Sequence, residues 1–120
     1  MQIIISILIA VIALLHLYFL YFEMFAWTTI GKKTFRGYKD DFFEMTKSLA
    51  ANQGLYNGFL AAGLLWTFLI ENQEWSRNIA VFFLSCVAVA GIYGAYSADK
   101  KIFFIQALPA LITLGLLFLV

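Results

Sequence analysis

Four long apolar stretches occupy most of this 120-residue chain and limit what it can fold into. They cover about residues 3–27, 48–70, 79–97 and 102–120, with short polar segments between them. A helix of about 20 apolar residues crosses a hydrocarbon core of about 30 Å. Hydrophobic residues make up 63% of the chain and charged residues 12%, which is far more apolar than a soluble domain. The sequence predicts an all-α polytopic membrane protein, a single transmembrane domain over residues 1–120 built as a four-transmembrane-helix antiparallel bundle.

A short helix is predicted between the first two apolar stretches, lying at the membrane surface. Asp40 and Asp41 are candidate N-caps, and Asp41 with Glu44 has the spacing of a capping box. Apolar side chains then recur at helical spacing, at Phe42, Met45 and Leu49. This pattern is typical of a short amphipathic helix that lies at the inner interface or runs straight into the second apolar helix. Upstream, Gly31 is expected to end the first helix in a left-handed conformation.

The basic residues predict how the chain is oriented. The 28–47 and 97–101 loops hold seven of the eight Lys and Arg residues, and only Arg77 lies on the opposite side. Because basic loops remain in the cytoplasm, we expect both loops to be cytoplasmic and both termini to lie outside. No Lys or Arg precedes the first apolar stretch, so we expect a retained helix and not a cleaved signal peptide.

Two ionisable side chains, His16 and Glu23, interrupt the first apolar stretch. Such residues are costly inside a membrane and are candidates for a functional site. Their spacing puts them on one helix face but about 10 Å apart along the axis, which excludes a direct hydrogen bond. We interpret them as a candidate catalytic acid/base pair or a proton route.

The second apolar stretch combines a polar stripe with a stripe of small residues. The polar stripe contains Asn52, Gln53, Tyr56 and Asn57. The small residues, at every fourth position, are Gly54, Gly58 and Ala62. Such spacing lets helix backbones approach closely in lipid, so it predicts packing within the bundle or between copies in a homo-oligomer.

Polar residues concentrate in the cytoplasmic half of the predicted bundle. Tyr93, Tyr96 and Gln106 fall at the same depth as His16, Glu23 and the polar stripe. Two interpretations follow. These groups line a polar cavity that binds a small molecule or lipid-like ligand, or they bond to one another as a dry structural network.

Other classes of site are disfavoured. One His, one Glu and several amides are too few for a zinc or iron site, so we predict no metal and no cofactor. The chain has no basic stripe of the kind that binds nucleic acid. Cys86 has no second cysteine to pair with in the chain and is interpreted as a packing residue.

Two strings carry a family resemblance: HLYFLYFEMFAW at residues 16–27 and AANQGLYNGFLAAG at residues 50–63. They resemble a family of small bacterial integral-membrane proteins catalogued as a domain of unknown function, number thirteen hundred and four. The resemblance covers the whole chain. It implies a four-helix, multi-pass protein of the bacterial cytoplasmic (inner) membrane, and it implies no activity.

Three functions therefore remain open, each with the lipid bilayer as a partner. The first is binding of a small molecule or lipid-like ligand, with acid/base chemistry at His16 and Glu23 and with Tyr56 as a hydrogen-bond donor. The second is a small proton-coupled transporter. The third is a structural or accessory membrane subunit. A hydrated or ligand-filled cavity would favour the first two functions, and a mutually bonded polar cluster would favour the third.

Overall fold

The computed structural model describes residues 2–120, and over these residues the protein is all-α, as predicted. The six α-helices are α1 (Ile3–Phe25), α2 (Lys32–Thr34), α3 (Asp40–Met45), α4 (Lys47–Trp66), α5 (Gln73–Ser97) and α6 (Leu108–Leu119). Two further segments, Trp27–Gly31 and Phe103–Ala107, are π-helical turns, and Thr67–Leu69 is a 3-10 turn. The long helices therefore follow the apolar stretches of the sequence.

The ends of these helices differ from the predicted ones. α4 ends at Trp66 and a 3-10 turn follows it, where the sequence predicted helix to about residue 70. α5 begins at Gln73 rather than near residue 79. The Asn72 side chain caps α5 by accepting the Trp75 backbone N–H at 2.9 Å. This cap adds an exposed polar turn that hydrophobicity alone does not reveal.

Two of the described helices, Ile3–Phe25 and Gln73–Ser97, are long and apolar enough to cross a membrane by length and composition. α4 has 20 residues, but it carries Lys47 and several amide side chains. The helical stretch Phe103–Leu119 is apolar but shorter. The structure thus supports two candidate spans, and the four-span bundle is not confirmed.

A short helix, α3, forms between α1 and α4 where the sequence predicted one, but it begins differently. Its N-cap is Lys39, which makes no side-chain capping bond. The predicted capping box at Asp41 and Glu44 is therefore wrong. Asp40 and Asp41 lie instead in the first turn of α3, where their negative charges interact favourably with the helix dipole.

The chain also leaves α1 by another route than the predicted one. Gly31 is right-handed, with φ −57° and ψ −43°, because the π-helical turn carries the helical path past Trp27. The left-handed residue is Gly37, with φ +98°, in the turn before α3. The predicted left-handed Gly31 is therefore wrong, and the left-handed residue of this segment lies six residues later, at Gly37.

The described chain forms two compact units, and the division between them falls inside α1 and inside α4. What we call the apolar unit contains the residues up to Leu14 together with Leu60–Val120. The polar unit contains Leu15–Phe59.

Helix faces with three- and four-residue apolar spacing build the core of the apolar unit. Its buried members from α1 and α5 include Ile5, Ile9, Ile12, Ala80, Leu84 and Val87. At Gly91, α5 lies so close to the second π-helical turn that an added Cβ would be 2.5 Å from the Ala107 nitrogen. The unit is therefore held by close packing in which backbone meets backbone.

Candidate functional site

A buried carboxylate on α1 accepts two hydrogen bonds from α4 within the polar unit. Glu23 is only 3% exposed. Gln53 Nε2 donates to Glu23 Oε2 at 2.6 Å, and Asn57 Nδ2 donates to Glu23 Oε1 at 2.6 Å. Since Gln53 and Asn57 are four residues apart, both amides lie on one face of α4. We call this group of three residues the carboxylate clamp.

Two glycines explain how such short amide side chains reach across to α1. A Cβ added at Gly54 would lie 2.9 Å from Met24 Cγ and 3.2 Å from the Leu20 carbonyl oxygen. A Cβ added at Gly58 would lie 2.5 Å from Leu20 Cδ1. Small residues thus let the two helices approach closely, and the Gly54–Gly58 face of α4 is covered by α1. Ala62, the third member of the predicted small-residue stripe, is exposed and belongs to the apolar unit.

Glu23 is the charged group of the clamp. Its two donors, Gln53 and Asn57, are neutral amides, so they bring no positive charge to the carboxylate. An ionised carboxylate accepts hydrogen bonds and donates none, and it has room for about four of them. Gln53 is itself exposed, whereas Asn57 is half-buried. The two hydrogen bonds to Glu23 therefore come from α4, and Gln53 lies between this carboxylate and the surface.

His16, the other ionisable residue of α1, is fully buried in the polar unit. Its ring packs edge-on against Phe19, with ring centroids 5.1 Å apart and an interplanar angle of 66°. The two hydrogen bonds of the clamp come from α4 and not from His16, in keeping with the seven-residue spacing that excludes direct contact with Glu23.

The other predicted site residues are not members of the clamp. Asn52 and Tyr56 lie on α4 and are exposed. Tyr93 and Tyr96, on α5, are exposed, and Gln106 is buried in the π-helical turn Phe103–Ala107. These last three residues belong to the apolar unit. Of the nine polar residues that the sequence analysis grouped by depth, the clamp joins Glu23, Gln53 and Asn57.

A second feature of the polar unit was missed by the sequence analysis. Trp27 Nε1 donates to Thr46 Oγ1 at 3.0 Å, and Thr46 Oγ1 donates to the Phe42 carbonyl at 2.7 Å. The rings of Phe22, Phe35 and Phe43 surround Trp27, with centroid distances of 6.3, 5.7 and 5.3 Å. We call these four rings the aromatic cluster. The density of aromatic residues between positions 22 and 43 was the available signal.

Residues 2–120 contain no cluster of side chains suited to binding a metal ion. No three His, Cys, Asp or Glu side chains come together there in a way that would hold an ion. The chemistry that the clamp offers is that of a carboxylate with two amides: it can hold a proton, accept hydrogen bonds or attract a cation.

Comparison with known proteins places the chain near proteins without an assigned activity. A family model described as "Protein of unknown function (DUF1304)" matches residues 10–118. The chain is 30% identical over 118 residues to "Uncharacterized protein YpaA" of Lactococcus lactis subsp. lactis (strain IL1403), covering 95% of this chain and 96% of that protein. No solved structure matches the chain significantly. All three clamp residues lie inside the matched range.

Proposed function

Since this chain belongs to the DUF1304 family, whose description specifies no activity, we propose its function from its own residues. It is a structural or accessory subunit of the bacterial inner membrane, and the carboxylate clamp fixes α1 against α4 within it. The clamp is a mutually bonded network, not a ligand site.

The outer faces of the helices support a membrane location. Several large apolar side chains on α1 are more than half exposed; they include Ile3, Ile4, Ile7, Val11, Leu14 and Phe25. Soluble proteins seldom expose an apolar surface of this extent, whereas lipid accommodates it. Both termini outside, with the 28–47 and 97–101 loops in the cytoplasm, is the orientation favoured by the basic residues.

The clamp also explains how α4 serves as a third span despite its amides. Gln53 and Asn57 each donate a hydrogen bond to Glu23, which lowers the free-energy cost of holding these amides away from water. The fourth span is Phe103–Leu119, which at about 1.5 Å per residue is about 26 Å long, close to the hydrocarbon thickness. We therefore retain the four-span bundle as part of the proposal.

The hydrogen bonds of Glu23 carry the structural proposal. Each carboxylate oxygen accepts a hydrogen bond from an α4 amide at 2.6 Å, and a Cβ added at Gly54 would lie 2.9 Å from Met24 Cγ and 3.2 Å from the Leu20 carbonyl oxygen of α1. A ligand that replaced Asn57 on Glu23 would leave that half-buried amide without its acceptor. Leaving a buried polar group without a partner costs about 1–3 kcal/mol, which opposes that displacement.

A flux measurement in proteoliposomes tests this proposal. The wild-type protein and Glu23→Gln are reconstituted at equal density, and uptake of protons and of a lipophilic organic cation is followed under an imposed pH gradient. We expect equal, background-level flux for both. Gradient-driven flux that Glu23→Gln abolishes would contradict the structural role and favour the proton-coupled transporter.

Binding of a small molecule or lipid-like ligand is the second candidate, and the exposure of Gln53 favours it. A cationic or hydroxylated headgroup that replaced the Gln53 amide would gain one carboxylate oxygen from the surface. In that case His16 and Glu23 would supply any acid/base chemistry. Mass spectrometry of protein released from native membranes in polymer-bounded discs would show a bound small molecule with the wild type and none with Glu23→Gln. We expect the two spectra to be alike.

A further inference from the structure

We propose that the segment joining α1 to α4 binds the phosphate-bearing headgroups of anionic phospholipids through Lys33, Arg36 and Lys39. This inference rests on the membrane location proposed above but not on the clamp. It concerns different side chains and assigns them a ligand of stated chemistry.

The three cations are exposed and have no acidic partner. Lys32 forms an ion pair with Asp40 at 3.8 Å. Among residues 2–120, no carboxylate oxygen lies within 4.0 Å of Lys33, Arg36 or Lys39, and all three side chains are exposed. Over the 28–47 loop the basic residues outnumber the acidic ones by five to three, so the loop keeps a positive balance.

The segment that carries these cations is packed and turned, not a loose loop. Its path is fixed at Trp27 by the aromatic cluster and by the bond to Thr46. The turn at Gly37, with φ +98°, separates Lys33 and Arg36 from Lys39. Tyr38 in this turn stacks on Phe42 with ring centroids 4.3 Å apart. A cation set held on an ordered turn loses less entropy on binding than one on a flexible chain.

Neighbouring apolar side chains favour a lipid over a free phosphate ion. At the end of α1 Phe25 is 73% exposed, at the end of α3 Met45 is 82% exposed, and in the first turn of α4 Leu49 is 72% exposed. A dissolved anion gains nothing from these residues. A membrane surface accommodates them in its acyl region, while its anionic headgroups attract the Lys and Arg residues that lie between them in the sequence.

The test uses Trp27 as a local reporter in the full-length protein. The exposed residues Trp66 and Trp75 are changed to Phe, which leaves Trp27 as the only tryptophan. The protein is placed in bilayers containing an equal mole fraction of brominated phosphatidylglycerol or brominated phosphatidylcholine. Bromine quenches a nearby tryptophan, so the ratio of the two quenching constants reports the local preference for the anionic lipid.

We expect phosphatidylglycerol to be preferred about fivefold or more, since each Lys or Arg near an anionic surface contributes about fivefold in affinity. Lys33→Gln/Lys39→Gln should lower the ratio toward one. The matched control, Lys100→Gln/Lys101→Gln, removes the same charge from the other basic loop and should leave the ratio unchanged. The thermal midpoint of each variant confirms that it remains folded.

Each of the other possible outcomes contradicts one step of the proposal. Equal quenching by both lipids, or an equal loss in both double variants, would overturn the headgroup site while leaving the membrane location intact. Loss of the preference in sodium phosphate but not in sodium chloride of equal ionic strength would assign the site to free phosphate. No quenching by either lipid would overturn the membrane location itself.

Discussion

The two units of the protein treat buried polar groups in different ways. In the apolar unit, three such side chains bond to main-chain carbonyls: Thr67 to Leu64, Ser76 to Thr67, and Thr113 to Pro109. Each of these bonds spans at most nine residues of sequence. These bonds are local, and the contacts between helices in this unit come mainly from apolar side chains, with the Arg77–Leu117 bond as an exception.

The polar unit instead joins its elements through side chain–side chain bonds between residues far apart in sequence. The clamp links Glu23 to residues 30 and 34 positions later, and Trp27 bonds to Thr46, 19 positions later. Hydrogen bonds between side chains therefore connect the elements of this unit, whereas packing of apolar side chains contributes most in the apolar unit. Substitutions should break the first through lost hydrogen bonds and the second through changes in volume.

Gly91→Val should have the largest effect, because it strikes the apolar unit where backbone meets backbone. Its Cβ would lie 2.5 Å from the Ala107 nitrogen, and a backbone atom cannot move aside as a side chain can. We expect a loss of about 3 kcal/mol in the free energy of unfolding, measured by denaturant titration in micelles. Gly115→Ala is the matched control, since nothing lies within 4 Å of its Cβ. That control should be neutral or slightly stabilising, and equal losses in both variants would show that packing at Gly91 is not decisive.

Glu23→Leu should have the next largest effect and strikes the clamp. It leaves the N–H groups of Gln53 and Asn57 without their acceptor, and we expect about 2 kcal/mol of destabilisation. Glu23→Gln retains one acceptor oxygen and should lose about half as much. In the apolar triple variant, Leu at positions 23, 53 and 57, stability should largely return, as it does when a whole buried polar network is replaced. A triple variant less stable than Glu23→Leu would show that Gln53 and Asn57 stabilise the fold by contacts other than their hydrogen bonds to Glu23.

The clamp also shows how far the sequence can be taken. Helix order follows from apolar stretches, because burying or embedding about 20 apolar residues requires a helix of that length. The spacing of residues along one helix likewise follows from counting residues. The direction around the axis does not: Tyr56 is one residue from Asn57 and so points about 100° away from it, and it is exposed while Asn57 bonds Glu23.

The connecting segment was harder to predict for a different reason. Gly31 follows a helical stretch and precedes a polar one, which is the ordinary position of a terminating glycine. The contacts of Trp27 with Phe35 and Phe43 instead favour a continued π-helical turn. Phe35 and Phe43 lie eight and sixteen residues after Trp27, so the sequence pattern around Gly31 does not contain these contacts. The left-handed residue comes later, at Gly37.

Trp27→Phe should have an intermediate effect and tests whether direction matters in the polar unit outside the clamp. Phe keeps a ring beside Phe35 and Phe43 but cannot donate to Thr46. We expect a loss of about 1.5 kcal/mol, from the hydrogen bond and the smaller ring. Trp75→Phe, at an exposed position, is the control and should change the free energy of unfolding by less than about 0.5 kcal/mol. Similar losses for both would mean that the ring alone, and not the indole N–H, stabilises this segment.

Arg77→Gln should have the smallest effect, because it removes a directional contact from the unit that depends least on such contacts. Arg77 Nη2 donates to the Leu117 carbonyl at 3.0 Å, and its guanidinium lies 5.1 Å from the centre of the Phe118 ring. The carbonyl belongs to the last turn of α6, where acceptors lack helical partners. We expect a loss of about 1 kcal/mol in the same denaturant titration. Phe118→Leu separates the two contributions, since it removes the ring and keeps the hydrogen bond, and it should account for about half of the loss. A loss for Arg77→Gln as large as that of Glu23→Leu would remove the contrast between the two units, because the apolar unit would then also depend on a single directional contact.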